Sequence, residues 1–142
     1  MPIDAENHIM KQTLLFDHFQ ANTLMGQHVE VFEPSFARAW RTIFDLPDST
    51  QPYPGELSSL ALAMAMRAYL TVVSPRPPGN VHARQQFQMH SLPDIGETVT
   101  TQVVCVGKEI RRERRYVDLQ VQASGRAARP LFTGEMRLIW AA

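Results

Sequence analysis

Between Gln51 and Leu70 the chain reads QPYPGELSSLALAMAMRAYL, a Pro/Gly turn followed by a helix whose residues are apolar almost all the way round. Leu57, Leu60, Ala61, Leu62, Ala63, Met64, Ala65, Met66, Ala68 and Leu70 leave no polar stripe of the width a surface helix presents to water. Such a segment belongs either in a bilayer or inside a fold. A spanning helix wants about 20 predominantly apolar residues, and Arg67 interrupts a run that only approaches that length. No membrane span is therefore expected. The helix should be buried on nearly every side, and the rest of the chain must be able to enclose it.

What precedes and follows it bounds the answer. Asp4, Glu6 and Asp17 break up Met1 to Gln20, so no unbroken apolar segment marks an export signal and a cytoplasmic, soluble protein is expected. A length of 142 residues with 44% hydrophobic content fits one domain, 1–142, with a real core. Fourteen basic residues balance fourteen acidic ones, which removes the overall positive field that phosphate contacts require, so nucleic acid is not an expected partner. Cys105 is the single cysteine, which excludes an internal disulfide and a cysteine-built zinc cage; its apolar surroundings suggest a packed, inert thiol.

Periodicity divides the chain. The lead segment 1–26 has partial helical spacing at Ile9, Leu14, Leu15, Phe16 and Phe19 before Gly26 breaks it. His28 to Phe32 predicts a short strand, and Pro34 opens a helix whose inward face is expected to be Phe36, Trp40, Ile43 and Phe44. Asp45 to Gly55, rich in proline, should run as an ordered loop over the mouth of the apolar helix. After the breaker cluster Ser74 to Gly79 the period changes to two, predicting strands at about Val81–His90, Thr98–Val106, Arg115–Ala123 and Leu131–Trp140, with Gly107 starting a connection. Short connections make these strands antiparallel. The fold class is thus α+β, a curved antiparallel sheet wrapped on a long apolar helix, with the sheet's second face covered by the Pro34 helix or by a second copy of the chain.

That pattern resembles the hot-dog fold, and within it the MaoC-like acyl dehydratases and their relatives the (R)-specific enoyl-CoA hydratases. The resemblance covers about Phe19 to Trp140 and rests on Val29–Phe44 as opening strand and helix, Tyr53-Pro-Gly-Glu-Leu57 as the turn into the central helix, Leu92-Pro-Asp-Ile-Gly-Glu-Thr-Val99, and the closing Phe132-Thr-Gly-Glu-Met-Arg-Leu138. It implies an acyl thioester such as acyl-CoA as ligand, no cofactor, and a homodimer or larger assembly, with a second hot-dog chain as a possible partner. The family's chemistry comes from an Asp-x-Asn-Pro-x-His segment ahead of the helix, whose two side chains hold a water and pass a proton. This chain departs from it: in Asp48-Ser-Thr-Gln-Pro-Tyr53, Asp48 falls at the acid position and Tyr53 where the histidine would be. A phenol with an ordinary pKa of about 10 can donate or position but is a poor base.

The first-turn amides around Gly55, Glu56 and Leu57 have no intrahelical partners and favour an oxygen gaining negative charge, so a thioester carbonyl could bind there; the plainer role of the same residues is to make the turn and complement the helix dipole. Arg111 and Arg112, with Arg114 and Arg115, sit at a hairpin tip that is either solvated or in contact with coenzyme A phosphates. His82 and His90 share the polar phase of one strand but lie about 26 Å apart, too far to share a metal, and no spacing of metal ligands or phosphate-cradling glycines is present. Three functions follow as expectations: an acyl-thioester hydratase or dehydratase using Asp48 and Tyr53, a non-catalytic subunit or acyl-binding module, and a thioesterase in which Glu56, at a solvent-reachable helix mouth, activates water.

Overall fold

The computed structural model describes residues 11–142, so part of the lead segment, including Ile9, lies outside the described residues. The elements are β1 (Thr23–Val31), α1 (Pro34–Ile43), α2 (Glu56–Val72), β2 (Val81–Met89), β3 (Thr98–Arg111), β4 (Arg114–Ser124) and β5 (Pro130–Trp140), with single 3-10 turns at Phe16–His18 and Arg126–Ala128. The strands form one sheet in the order β1-β3-β4-β5-β2, every neighbouring pair antiparallel. The two short connections, β3–β4 and β4–β5, join sheet neighbours. β1 and β2 are left as the edges.

The apolar helix is α2, and the sheet curves around it. Leu60, Ala61, Met64, Ala65, Ala68 and Tyr69 are buried against Val99, Val103, Cys105, Val117, Leu119, Val121 and the alternate residues Phe132, Met136, Leu138 and Trp140 of β5. Alanines on the sheet-facing side let the backbone of α2 approach the strands. Burial is not complete, however. Leu62 and Leu70 remain 38% and 45% exposed, because one sheet covers one side of a helix and α1 covers only part of the rest.

Other expectations are also corrected. On α1 the buried residues are Ala37 and Arg41, while Phe36 and Trp40 are half-buried and Ile43 and Phe44 are exposed. α1 packs on α2 and does not cover the outer face of the sheet. That face has its own solution, since its strands turn Gln120, Gln122, Thr133, Glu135 and Arg137 outward; Arg137 pairs with both Glu109 and Asp118. Gly26 lies inside β1 at a register shift, where a Cβ would come within 3.1 Å of Val72, so it marks a close approach and not the end of a helix. Gly107 likewise sits at a bulge within β3, which continues to Arg111. A bulge between His82 and Arg84 flips β2, placing His82 edge-on to Tyr69 with ring centres 6.3 Å apart, on the side opposite His90.

The Leu92–Val99 segment is organised by Glu97, which is fully buried. Its carboxylate accepts the Asp94 and Arg126 amides, each at 2.9 Å, and the Arg129 guanidinium at 2.5 Å. These bonds, the Asp94 amide foremost, hold its pKa down at about 2 against burial, which acts the other way. One carboxylate thereby ties the β2–β3 connection to the β4–β5 connection. Gly125 leaves room for it, since a Cβ there would overlap the carboxylate.

Candidate functional site

A cleft of about 460 Å³ opens where α1, the loop 46–55, the first turn of α2 and Ile95 of the β2–β3 connection meet. Its base is an ion pair. Arg41 donates from Nε to Glu56 Oε1 at 2.5 Å and from Nη2 to Oε2 at 3.1 Å, and from Nη1 to the Ser49 carbonyl at 2.6 Å. Glu56 is 1% exposed and Arg41 9%. A buried carboxylate is costly unless a cation and hydrogen bonds satisfy it, and here a planar fork meets a planar carboxylate. The hydrogen bond to Glu56 is the main cause that raises the Arg41 pKa further above its ordinary value.

The loop is held by its own contacts. Tyr53 donates its hydroxyl to the Pro47 carbonyl at 2.6 Å, with the Arg41 guanidinium 5.5 Å from its ring centre. Gly55 turns the chain into α2 with φ of 77°, a left-handed conformation that L side chains rarely adopt. The Glu56 amide is taken by the Tyr53 carbonyl at 3.0 Å, and helical bonding resumes with the Ser59 amide on the Gly55 carbonyl at 2.9 Å. The amides of Leu57 and Ser58 lie between, with no acceptor among the described residues. They are the donors free to receive an oxygen at the positive end of the helix.

Of the residues singled out from the sequence, Asp48, Glu56 and Leu57 come together in this cleft. The Asp48 side chain is 81% exposed, with Oδ1 4.0 Å from Arg41 Nη1. Glu56 is sealed instead of open to solvent, and both its oxygens are engaged. Tyr53 is adjacent but its hydroxyl is committed to Pro47. Arg111 and Arg112 stand at the opposite end of β3 from Thr98, roughly 40 Å along the strand. Among the described residues, no histidine lines the cleft. Sequence reasoning missed Arg41 and Arg38, which do line it, and Ile95. The signal for Arg41 was its i,i+4 spacing from Ala37, which puts an arginine on the inward face of α1 and demands a buried acid nearby.

Among the described residues, no group of three or more His, Cys, Asp and Glu is placed to hold a metal ion, and no helix is long and apolar enough to cross a membrane. Neither a protein-family model nor a curated protein sequence matches the chain. Solved structures do. A MaoC-like dehydratase from Rhodospirillum rubrum superposes with a TM-score of 0.72 at 13% identity, over 91% of this chain and 98% of that one. An unliganded (R)-hydratase from Pseudomonas aeruginosa gives 0.67 at 11% identity, over 88% and 84%. A mutant of a fluoroacetyl-CoA-specific thioesterase gives 0.63 at 14%, over 85% and 87%. The fold is a hot-dog fold.

Proposed function

From this hot-dog fold we propose that the protein binds an acyl thioester, acyl-CoA or a related carrier, in the cleft at the mouth of α2, and that it acts there as a MaoC-like hydratase or dehydratase with an atypical site. The observation that carries the reading is the Leu57 amide, without an acceptor among the described residues, on a residue that lines the same cleft as the exposed carboxylate of Asp48, with the Ser58 amide likewise without an acceptor one residue on. In hydration, Asp48 takes a proton from a water whose oxygen bonds to the β-carbon of an enoyl thioester. The π electrons move toward the thioester carbonyl, whose oxygen becomes an enolate held by the amides. The α-carbon is then reprotonated. Tyr53 is the candidate donor, and to serve it must release the Pro47 carbonyl. Gly55 and Glu56 shape the turn that presents the amides, and Glu56 does so through Arg41.

The purified protein should consume the enoyl absorbance of a short enoyl-CoA, and Asp48→Asn should abolish this. Unchanged absorbance with the wild-type protein sinks the hydratase claim.

That no histidine among the described residues lines the cleft favours a second reading, a non-catalytic subunit or acyl-binding module. Co-purification with a hot-dog chain that carries the intact Asp/His pair would support the subunit form. A stable homodimer that binds acyl-CoA without turnover would support the module. We place either function in the cytoplasm, and in a homodimer or larger assembly because, among the described residues, nothing pairs with the outer edges of β1 and β2 and Leu62 and Leu70 of α2 stay partly exposed. Arg111 and Arg112 remain candidate contacts for coenzyme A phosphates. Thioester hydrolysis ranks lower, since Glu56 is locked by Arg41; thiol release from a panel of acyl-CoA esters would reveal it.

A further inference from the structure

Among the described residues, four charged side chains line the cleft, and three of them are accounted for. Arg41 and Glu56 neutralise one another, and Asp48 lies 4.0 Å from Arg41. Arg38, one turn before Arg41 on α1, is exposed and has neither a carboxylate within ion-pair distance nor a side-chain hydrogen bond among the described residues. The rest of the cleft wall is mainly apolar, Pro34, Ala37, Pro52, Leu57 and Ile95, with the uncharged polar residues Ser49 and Thr50. A guanidinium so placed presents a planar set of donors to whatever enters, and the fork fits the paired oxygens of a carboxylate or phosphate. The nearby carboxylates do not compete for it. Glu56 has both oxygens on Arg41, and Asp48 is turned to water.

We propose that Arg38 is the specificity-determining residue of the cleft, selecting a ligand that carries an anionic group, carboxylate or phosphate, in addition to the thioester. This rests on the thioester reading above and deepens it. The group has two sources, a carboxylate at the far end of the acyl chain or a phosphate of the carrier arm. The chemistry of recognition is the same for both. Because Arg38 is exposed and has no ion-pair partner among the described residues, its replacement should leave folding intact, which separates it from Arg41 on the same helix.

The test is calorimetric titration of wild-type protein, Arg38→Gln and Arg38→Lys with the butyryl and succinyl thioesters of pantetheine, which has no phosphate, and of coenzyme A, with succinate and inorganic phosphate as free anions. If the acyl carboxylate is the partner, wild type prefers succinyl-pantetheine over butyryl-pantetheine by about ten-fold, the scale of a charge-assisted hydrogen bond. Arg38→Gln loses that preference and Arg38→Lys keeps part of it. If the carrier phosphate is the partner, Arg38→Gln weakens both coenzyme A thioesters by about ten-fold and leaves the pantetheine pair equal. Unaltered binding of all four thioesters by Arg38→Gln overturns the proposal. Should wild type bind no thioester but bind succinate or phosphate in an Arg38-dependent way, the thioester reading fails and the anion site stands. Binding of neither class by the wild-type protein overturns the anion site as well.

Discussion

Arg41 and Glu56, fifteen residues apart, face one another through two parallel hydrogen bonds of 2.5 and 3.1 Å, joining α1 to the first turn of α2 at the base of the cleft. The pair sets the relation between the two helices whose residues line the cleft.

Breaking one side of this pair leaves a charge buried without its counter-ion. Arg41→Met should therefore destabilise the fold by about 3–5 kcal/mol, whereas Arg41→Met with Glu56→Leu should recover most of that loss. Urea unfolding with an unchanged slope and a shifted midpoint measures both. A double variant no more stable than the single one would refute the assignment of the cost to the stranded carboxylate.

Asp48 should behave in the opposite way. Its side chain is 81% exposed, so Asp48→Asn should change stability by no more than about 0.5 kcal/mol while removing any hydration activity. Comparing melting midpoints and enoyl consumption of the two proteins separates a chemical role from a structural one. A large drop in melting midpoint would show that Asp48 supports the loop.

Glu97 predicts a pH dependence of stability with a definite sign. Its pKa in the fold is about 2 against an ordinary 4.5, so the folded state favours the carboxylate. The stability it contributes is present in full above about pH 4.5 and is lost as the pH falls from there through about 2. The melting midpoint of the wild type should fall across that window. Glu97→Gln should be less stable at neutral pH and show a shallower fall. Parallel curves for the two proteins would place the acid sensitivity elsewhere.

Gly125→Ala should cost about 1–3 kcal/mol, because its new Cβ overlaps the Glu97 carboxylate and forces the ion pair with Arg129 to shift. The two sites should be coupled: in the Glu97→Ala background the same glycine substitution should cost markedly less. Additive costs would argue against direct contact.

Cys105 is fully buried, and burial pushes its thiol pKa up. A colourless-to-coloured thiol reagent at pH 8 should react with it slowly in the folded protein and within the mixing time in concentrated urea. Fast reaction of the folded protein would mean that β3 opens readily around it.

Much of the architecture was legible along the chain because burial writes a local pattern. The apolar character of Leu57–Leu70 announced a helix packed into the core, though Leu62 and Leu70 stay partly exposed, and the alternation in Val117, Leu119 and Val121 announced a strand with one buried face. Element edges were less legible. β3 runs through Gly107 and β1 through Gly26 because sheet pairing tolerates a bulge that a periodicity count reads as a break. On α1 the expected inward face holds in part: Phe36 and Trp40 pack against the core, whereas Ile43 and Phe44, which hydrophobicity also favours, are exposed and the fold buries Arg41, whose partner belongs to another helix.

What the sequence determined by itself, then, is the fold class and the place of the cleft: an apolar helix must be wrapped, and a Pro/Gly turn must mark its mouth. Tertiary structure alone decided the charges there. Whether Glu56 is a free base or half of a sealed pair depends on Arg41, and whether Arg38 is spare depends on where every nearby carboxylate points. Hydrophobic burial is approximately a sum over single residues and leaves its period in the sequence. Electrostatic pairing is a property of distances between residues remote in the chain, which appear only once the chain has folded.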